Sequence, residues 1–321
     1  MTDALLLLTG AVAAFGNDVA QIANPLRNYD SAGNNTASEK LTLVDGGLDL
    51  QNVPLWPLLQ PARDLDVVIA VDSSADVSNW PNGTAPNATA TRGRNSFFAS
   101  VAVPNFPSPN TFVNRGLNTR PTFFACNASD AINAGTAANG TSSPLVVYLP
   151  NYPYIALGNT STYQLAYAKN ESQAVIDNAF ASATLNGAAQ DWPQCLACAM
   201  LERSWARTGI ARPQNCTRCL DKYCWDGVVN ETAPALAYSP PIGVPAFVSS
   251  DGSIQNAPIY TGGDGQNSGQ DSANAQSQGG SNSNGGGGSK SAGQLRLGAP
   301  ATMLPFLASS ALLAAAVAAL L

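Results

Sequence analysis

Residues 41–76 read LTLVDGGLDLQNVPLWPLLQPARDLDVVIAVDSSAD, and two runs within that stretch set the architecture. Leu41-Thr42-Leu43-Val44 alternates as a short strand does, whereas Asp66-Val67-Val68-Ile69-Ala70-Val71 is almost continuously apolar and β-branched. A continuous run bounded by polar residues predicts a strand covered on both faces, the usual situation in parallel sheets. Pro54, Pro57 and Pro61 lie between the runs; they forbid a long helix there but tolerate short helical turns. Asp45 stands at the end of the first run, ahead of Gly46 and Gly47. A strand ending in Asp-Gly-Gly is ordinarily a turn, because glycine reaches unusual backbone angles at little cost.

Farther along the chain, Leu145-Val146-Val147-Tyr148-Leu149, bracketed by Pro144 and Pro150, is a third strand candidate. Ser172 to Ser182 and Gln194 to Arg207 read as helices. The fold class expected is α/β, with long proline-rich and asparagine-rich loops. The opening MTDALLLLTGAVAAFGNDVA carries Asp3 and no Lys or Arg. It therefore lacks the positive leading region of a secretory signal and reads as a buried or half-buried helix, with a poor signal peptide as the alternative.

Charged residues make up 11% of the 321 residues, against roughly 25% in ordinary soluble domains. Asn, Ser, Thr, Gln and Gly supply the polarity, as suits a secreted surface covered in glycans. A net charge of −6 with only 15 Lys and Arg argues against a nucleic-acid partner, which requires clustered cations. The chain has no histidine. That excludes Ser-His-Asp triads, Cys-His pairs and HExxH metal sites built from this chain.

Beyond the candidate domain at 1–237, residues 238–294 are read as a flexible spacer, Gly/Ser/Asn/Gln-rich from Gly262, too poor in apolar side chains to fold. Residues 295–321 end MLPFLASSALLAAAVAALL, with no charge after Arg296. Small residues, a short polar spacer and a terminal apolar run form the pattern of a glycosylphosphatidylinositol attachment signal. Asn284 is the expected attachment residue; a true tail anchor or a buried helix are the alternatives. Sequons begin at Asn34, Asn82, Asn87, Asn127, Asn139, Asn159, Asn170, Asn215 and Asn230, and with the tail they point to the extracellular surface and a membrane anchor.

Cys195-x2-Cys198 and Cys216-x2-Cys219 match the spacing of a four-thiolate zinc site. Context favours disulfides instead. The six cysteines include Cys126 and Cys224, and Cys216 lies within the sequon of Asn215 in a chain expected to pass through an oxidising compartment. Their pairing is left open, with Cys126 expected to tie a distant loop to the cluster.

The block LVDGGLDLQNVPLWPLLQPARDLDVVIAVDSSAD, followed by NWPNGT, CLACAMLERSWAR and CTRCLDKYCWDG, resembles the fungal phospholipase B or lysophospholipase family. The likeness covers most of residues 1–230, and the tail resembles that of the family's cell-surface members. It implies the C-terminal part of a catalytic domain with a mostly parallel sheet. In that family the aspartate of the DGG motif is the partner of a serine in a GxSGG turn, and Asp45 is the matching position. Such a dyad needs no histidine: the carboxylate takes the serine proton directly, and an acyl-serine ester forms. The carboxylate must be desolvated to become an adequate base, and Val44, Val53, Leu55 and Trp56 are the expected apolar wall.

No GxSxG or SGG occurs in the sequence. Enzymes of the family carry the serine upstream, so the expectation is a chain that begins within the catalytic domain and has no turnover by itself. Its implied substrate is a lysophospholipid, with no metal or organic cofactor. Arg63 and Arg92 are expected to be solvated rather than phosphate-binding, and Asp72, Ser73 and Ser74 to be structural. The alternative is a non-enzymatic, lipid-anchored surface glycoprotein on a phospholipase scaffold.

Overall fold

The computed structural model describes residues 19–29, 33–137, 142–161, 163–234, 238–243 and 245. The expected N-terminal helix, the Gly-rich spacer and the C-terminal apolar segment lie outside the described residues. Strand β1 (Val19–Ala23) pairs antiparallel with β2 (Lys40–Val44) in a separate hairpin. The proline-rich stretch that follows forms short 3-10 turns at Trp56–Leu58 and Pro61–Arg63, as the three prolines require. Strand β3 (Val67–Asp72) then enters the body, followed by helices α1 (Thr84–Gly93) and α2 (Pro109–Asn114). Strands β4 (Thr122–Phe124) and β5 (Leu145–Pro150) complete the main sheet. Helices α3 (Lys169–Ala183), α4 (Trp192–Thr208) and α5 (Gln214–Tyr223) close the body.

The main sheet has the order β3-β5-β4. Strands β3 and β5 run parallel, Val67 facing Leu145 and Asp72 facing Pro150. Strand β4 is antiparallel to β5, Thr122 facing Tyr148, so the sheet is mixed and the expectation of a mostly parallel sheet is corrected. The reason lies in the connections. Two helices carry the chain from β3 round to β5, as a parallel pair requires. Between β4 and β5 the described residues hold only the 3-10 turn Ala128–Asp130, so the chain reverses direction.

All six residues of β5 are buried. Leu145, Val147 and Leu149 face a core shared with Trp192, Leu196, Ala199, Leu220 and Tyr223, from α4 and α5. Val146 and Tyr148 face the opposite core with Ala85, Ala90, Phe106 and Phe112. Strand β3 divides the same way: Val68 and Ala70 are in the second core, and Val67, Ile69 and Val71 pack against the first. A strand clothed by helices on both faces is read as a continuous apolar run because neither face meets water. The packed body extends past residue 237, since Tyr238 is buried against Trp80 and Val113.

Disulfides join Cys195 to Cys219 and Cys198 to Cys216. On a helix, residues three apart share a face. Each CxxC therefore presents both sulfurs to the other helix, and the crossed pairing shows that α4 and α5 run antiparallel. A third disulfide, Cys126–Cys224, ties the end of β4 to the end of α5. Buried Arg203 reinforces this corner: its Nε donates to the Ser143 carbonyl at 2.9 Å, and its Nη atoms donate to the carbonyls of Ala125 and Cys126. With every cysteine bonded, no thiolate is left for zinc.

The Cys126–Cys224 bond closes a sequence separation of 98, a long loop whose opening frees much unfolded-chain entropy. Replacing both residues by Ala is expected to lower unfolding free energy by about 2–4 kcal/mol, read as a shifted urea midpoint.

Candidate active site

Strand β2 ends at Val44, and the chain turns into a 3-10 segment at Gly46–Asp49 with Asp45 as its N-cap. The Asp45 carboxylate accepts the Gly47 N–H on Oδ1 at 2.7 Å. Oδ2 takes no hydrogen bond among the described residues. One oxygen is thus fixed by the backbone, and the other remains available as a proton acceptor. Glycine at 47 follows from the packing: a Cβ there would lie 2.9 Å from Asn52 Oδ1 and 3.0 Å from Asp45 Oδ1. The turn closes through Gln51 N–H to the Gly46 carbonyl at 2.8 Å, and Gln51 Oε1 accepts the buried Thr89 hydroxyl of α1 at 3.1 Å. The body therefore holds the Asp45 turn through one buried polar contact.

Asp45 is exposed, which departs from the walled pocket expected. Val53 and Leu55 point into the core at 6% and 1% exposure, whereas Val44 is 53% exposed. An apolar residue beside Asp45 in sequence is free to pack elsewhere, and the core takes these two. The described residues do not supply the desolvation that a carboxylate base needs. Leu43, Leu48 and Leu50, near Asp45 in sequence, are each between 46% and 69% exposed.

The arginines are accounted for locally. Arg92 pairs with Asp49 and lies over the Trp56 ring, 5.7 Å from its centroid. Arg63 is exposed, and its Nε donates to the Pro57 carbonyl at 2.7 Å. A groove of about 300 Å³ beside Glu202, Trp205, Ile210 and Arg212 does not include Asp45.

At the carboxyl end of β3, Asp72 is fully buried. Its Oδ2 accepts the Tyr148 hydroxyl at 2.7 Å, and its Oδ1 accepts the Ser74 N–H at 2.9 Å. Burial raises the Asp72 pKa above the usual carboxylate range, and burial together with the Asp72 charge raises that of Tyr148. Asp76 accepts the Asn82 N–H at 3.1 Å; burial first, opposed by that hydrogen bond and joined by repulsion from Asp72, pushes its pKa up to about 6. Asp72 and Ser74 of this segment, expected to be structural, are buried. That reading did not single out Asp76, whose only sequence signal is a second acid four residues beyond a buried strand.

Among the sequons, Asn127, Asn170 and Asn230 are exposed. Asn82 and Asn215 are half-buried, as are Asn87 and Asn159, whose side-chain amides donate to the Pro107 and Ser78 carbonyls at 3.0 and 3.1 Å. Asn34 lies in the 3-10 turn Gly33–Ala37. Asn139 and Asn284 are outside the described residues.

The family model for the lysophospholipase catalytic domain matches residues 6–230. Lysophospholipase 2 of Aspergillus fumigatus is 48% identical over 245 residues, 74% of this chain and 40% of that protein. A lysophospholipase of Penicillium chrysogenum is 44% identical over 252 residues, 76% of this chain and 39% of its own length. Phospholipase B of Cryptococcus neoformans var. grubii is 41% identical over 244 residues, 74% of this chain and 36% of its own. The chain thus spans about 40% of the first of these relatives. No solved structure matches.

Half-buried Asp76 gives the fold a pH dependence whose sign follows from linkage. Asp76 keeps its proton in the folded state up to about pH 6, while in the unfolded chain it releases it near pH 4. Its contribution is therefore fully present below about pH 4 and is lost as pH rises toward 6. Melting temperature should fall across that window, and Asp76→Asn should flatten the fall and raise the melting temperature at pH 7.

Proposed function

The chain belongs to the lysophospholipase catalytic-domain family, and on that premise we propose that it supplies the base of a Ser-Asp dyad that hydrolyses the acyl ester of lysophospholipids. The observation that carries this reading is the Asp45 carboxylate, at the family's DGG position, with Oδ1 held by Gly47 and Oδ2 open. In the reaction, Oδ2 accepts the proton of a serine hydroxyl as the serine oxygen attacks the acyl carbonyl. The proton passes to the departing glycerol oxygen of the head group. Water, deprotonated by the same carboxylate, then attacks the acyl-serine; the serine oxygen departs, takes that proton back from the carboxyl group, and the fatty acid is released. The serine comes from outside this sequence, which contains no GxSxG. The chain alone is therefore inactive, and Asp45 becomes an effective base when the serine-bearing part removes water from it.

A second reading has its own support. The exposure of Asp45 in this chain suits a disulfide-stapled scaffold displayed at the cell surface without catalysis. Both readings place the protein outside the cell, secreted and joined to the membrane through a lipid attached at Asn284. The three disulfides and the exposed sequons support that placement.

The deciding experiment joins the segment that precedes the matched region of the A. fumigatus relative to the front of this chain and assays fatty-acid release from lysophosphatidylcholine. Hydrolysis is expected, with Asp45→Asn lowering kcat by roughly 10³–10⁴-fold. The unfused chain should show none. Turnover that survives Asp45→Asn would end the dyad reading. For the secreted protein, enzymatic deglycosylation should convert Asn127, Asn170 and Asn230 to aspartate more completely than Asn87, whose amide is engaged; peptide mass spectrometry gives the occupancies.

A further inference from the structure

Beyond the carboxyl end of α1 the surface carries a line of aromatic side chains in contact. The 3-10 turn Ser96–Phe98 follows the helix, and its N-cap Asn95 accepts the Phe97 N–H on the side chain at 2.9 Å. Phe97 is 83% exposed. Its ring meets that of half-buried Phe98 edge-on at 4.9 Å, and Phe98 meets Trp56 at 4.7 Å. Trp56 in turn packs on the second core and lies under the Arg92 guanidinium. The base of the loop is fixed by polar contacts. The Asn133 side-chain amide donates to the carbonyls of Gly93, Phe98 and Val101 at 2.8, 3.4 and 3.3 Å, and the Thr136 hydroxyl donates to that of Ala99 at 2.7 Å. A well-anchored loop therefore turns a phenyl ring to water, and an anchored apolar projection of this kind marks an interaction surface. Charge flanks it. Arg94 precedes the Phe97 turn and donates to the Asn105 side chain at 2.9 Å, while Arg63 is held on the carbonyl of Pro57, next to Trp56. Both arginines are exposed, and neither pairs with a carboxylate among the described residues.

We propose that this ridge, Trp56, Phe97 and Phe98 with Arg63 and Arg94, is the surface by which the protein seats on a phospholipid–water interface. The occupant follows from the chemistry of the ridge. A projecting aromatic ring settles at the boundary between head groups and acyl chains. Guanidinium groups without a carboxylate partner meet the lipid phosphates, although the chain as a whole has a net charge of −6. A stable protein interface covers about 800 Å² on each partner, more than one exposed ring and two half-buried ones offer. The choice of lipid rests on the reading of the chain as part of a lysophospholipase, whose substrate resides in micelles and membranes. Arg92 links the ridge to the candidate site: it pairs with Asp49, in the 3-10 segment that Asp45 caps. Seating the ridge thus brings the Asp45 turn alongside the lipid.

The test adds phosphatidylcholine vesicles, with or without phosphatidylglycerol, to the full 321-residue chain and follows backbone hydrogen exchange by mass spectrometry. A local readout is needed because the apolar residues 295–321 can also hold the chain to lipid. Exchange in the peptides spanning residues 54–60 and 94–101 is expected to slow on vesicles, and more so with the anionic lipid. Phe97→Asp should weaken that protection by about 10-fold or more, and Arg63→Glu with Arg94→Glu should remove its dependence on phosphatidylglycerol. Leu165→Asp, at another exposed position, should leave it unchanged. Near-ultraviolet circular dichroism verifies that each variant is folded, with Phe97→Ser as the substitute where the aspartate variant is not. The surface is overturned if vesicles leave both peptides unchanged or if Phe97→Asp keeps full protection. It is equally overturned if Phe97→Asp speeds exchange of the loop without lipid, since the chain or a second copy would then already cover the ring. The fused protein separates this inference from the dyad reading. Protection without fatty-acid release rejects the dyad alone, and fatty-acid release without protection rejects the surface alone.

Discussion

Strand β5 is buried on both faces along its whole length, and that constraint organises the molecule. Every backbone group of such a strand needs a partner, because none can reach water. Strands β3 and β4 supply partners on either side. Its alternating side chains divide the interior into two cores, one closed by α4 and α5 and the other by α1, α2 and the loops around them. On the second-core face β3 and β5 are also joined by polarity: the Tyr148 hydroxyl donates to Asp72. Burying a carboxyl group is costly unless its hydrogen bonds are made, and here a phenol and a backbone N–H make them.

Covalent bonds reinforce the helical layer on the first core. The α4–α5 pair is crossed by two disulfides, and the third anchors its far end to β4. The cysteine spacing that matches a zinc ribbon in isolation is here the consequence of two antiparallel helices sharing one face each. A zinc site needs four thiolates converging on one point; these helices bring sulfurs together in pairs.

The hairpin and the Asp45 turn obey different physics. Local chemistry fully accounts for the turn: an aspartate cap, a glycine where a side chain would collide, and a glutamine anchored to α1. It orients one carboxylate oxygen outward and does no more. Basicity requires removal of water, which is a property of surroundings, and Asp45 is exposed among the described residues.

Much of the architecture was legible from residue order. The β2, β3 and β5 runs, the proline-bound 3-10 turns and the helices α3 and α4 follow from periodicity, β-branching and backbone restriction, which act over a few residues. The turn at Asp45 was legible as Asp-Gly-Gly. Other elements were not. Helices α1 and α2 are rich in Thr, Asn and Pro and owe their helicity to packing against Phe124 and Tyr148; β4 is three residues long and exists because β5 offers it an edge. The direction of β4, the pairing of the cysteines, the partial burial of Asp76 and the exposure of Asp45 are all outcomes of contacts between distant segments. Short-range propensity determined which pieces form. Only the tertiary structure decided what each carboxylate faces, because solvation depends on every segment that packs nearby and not on its neighbours in the chain.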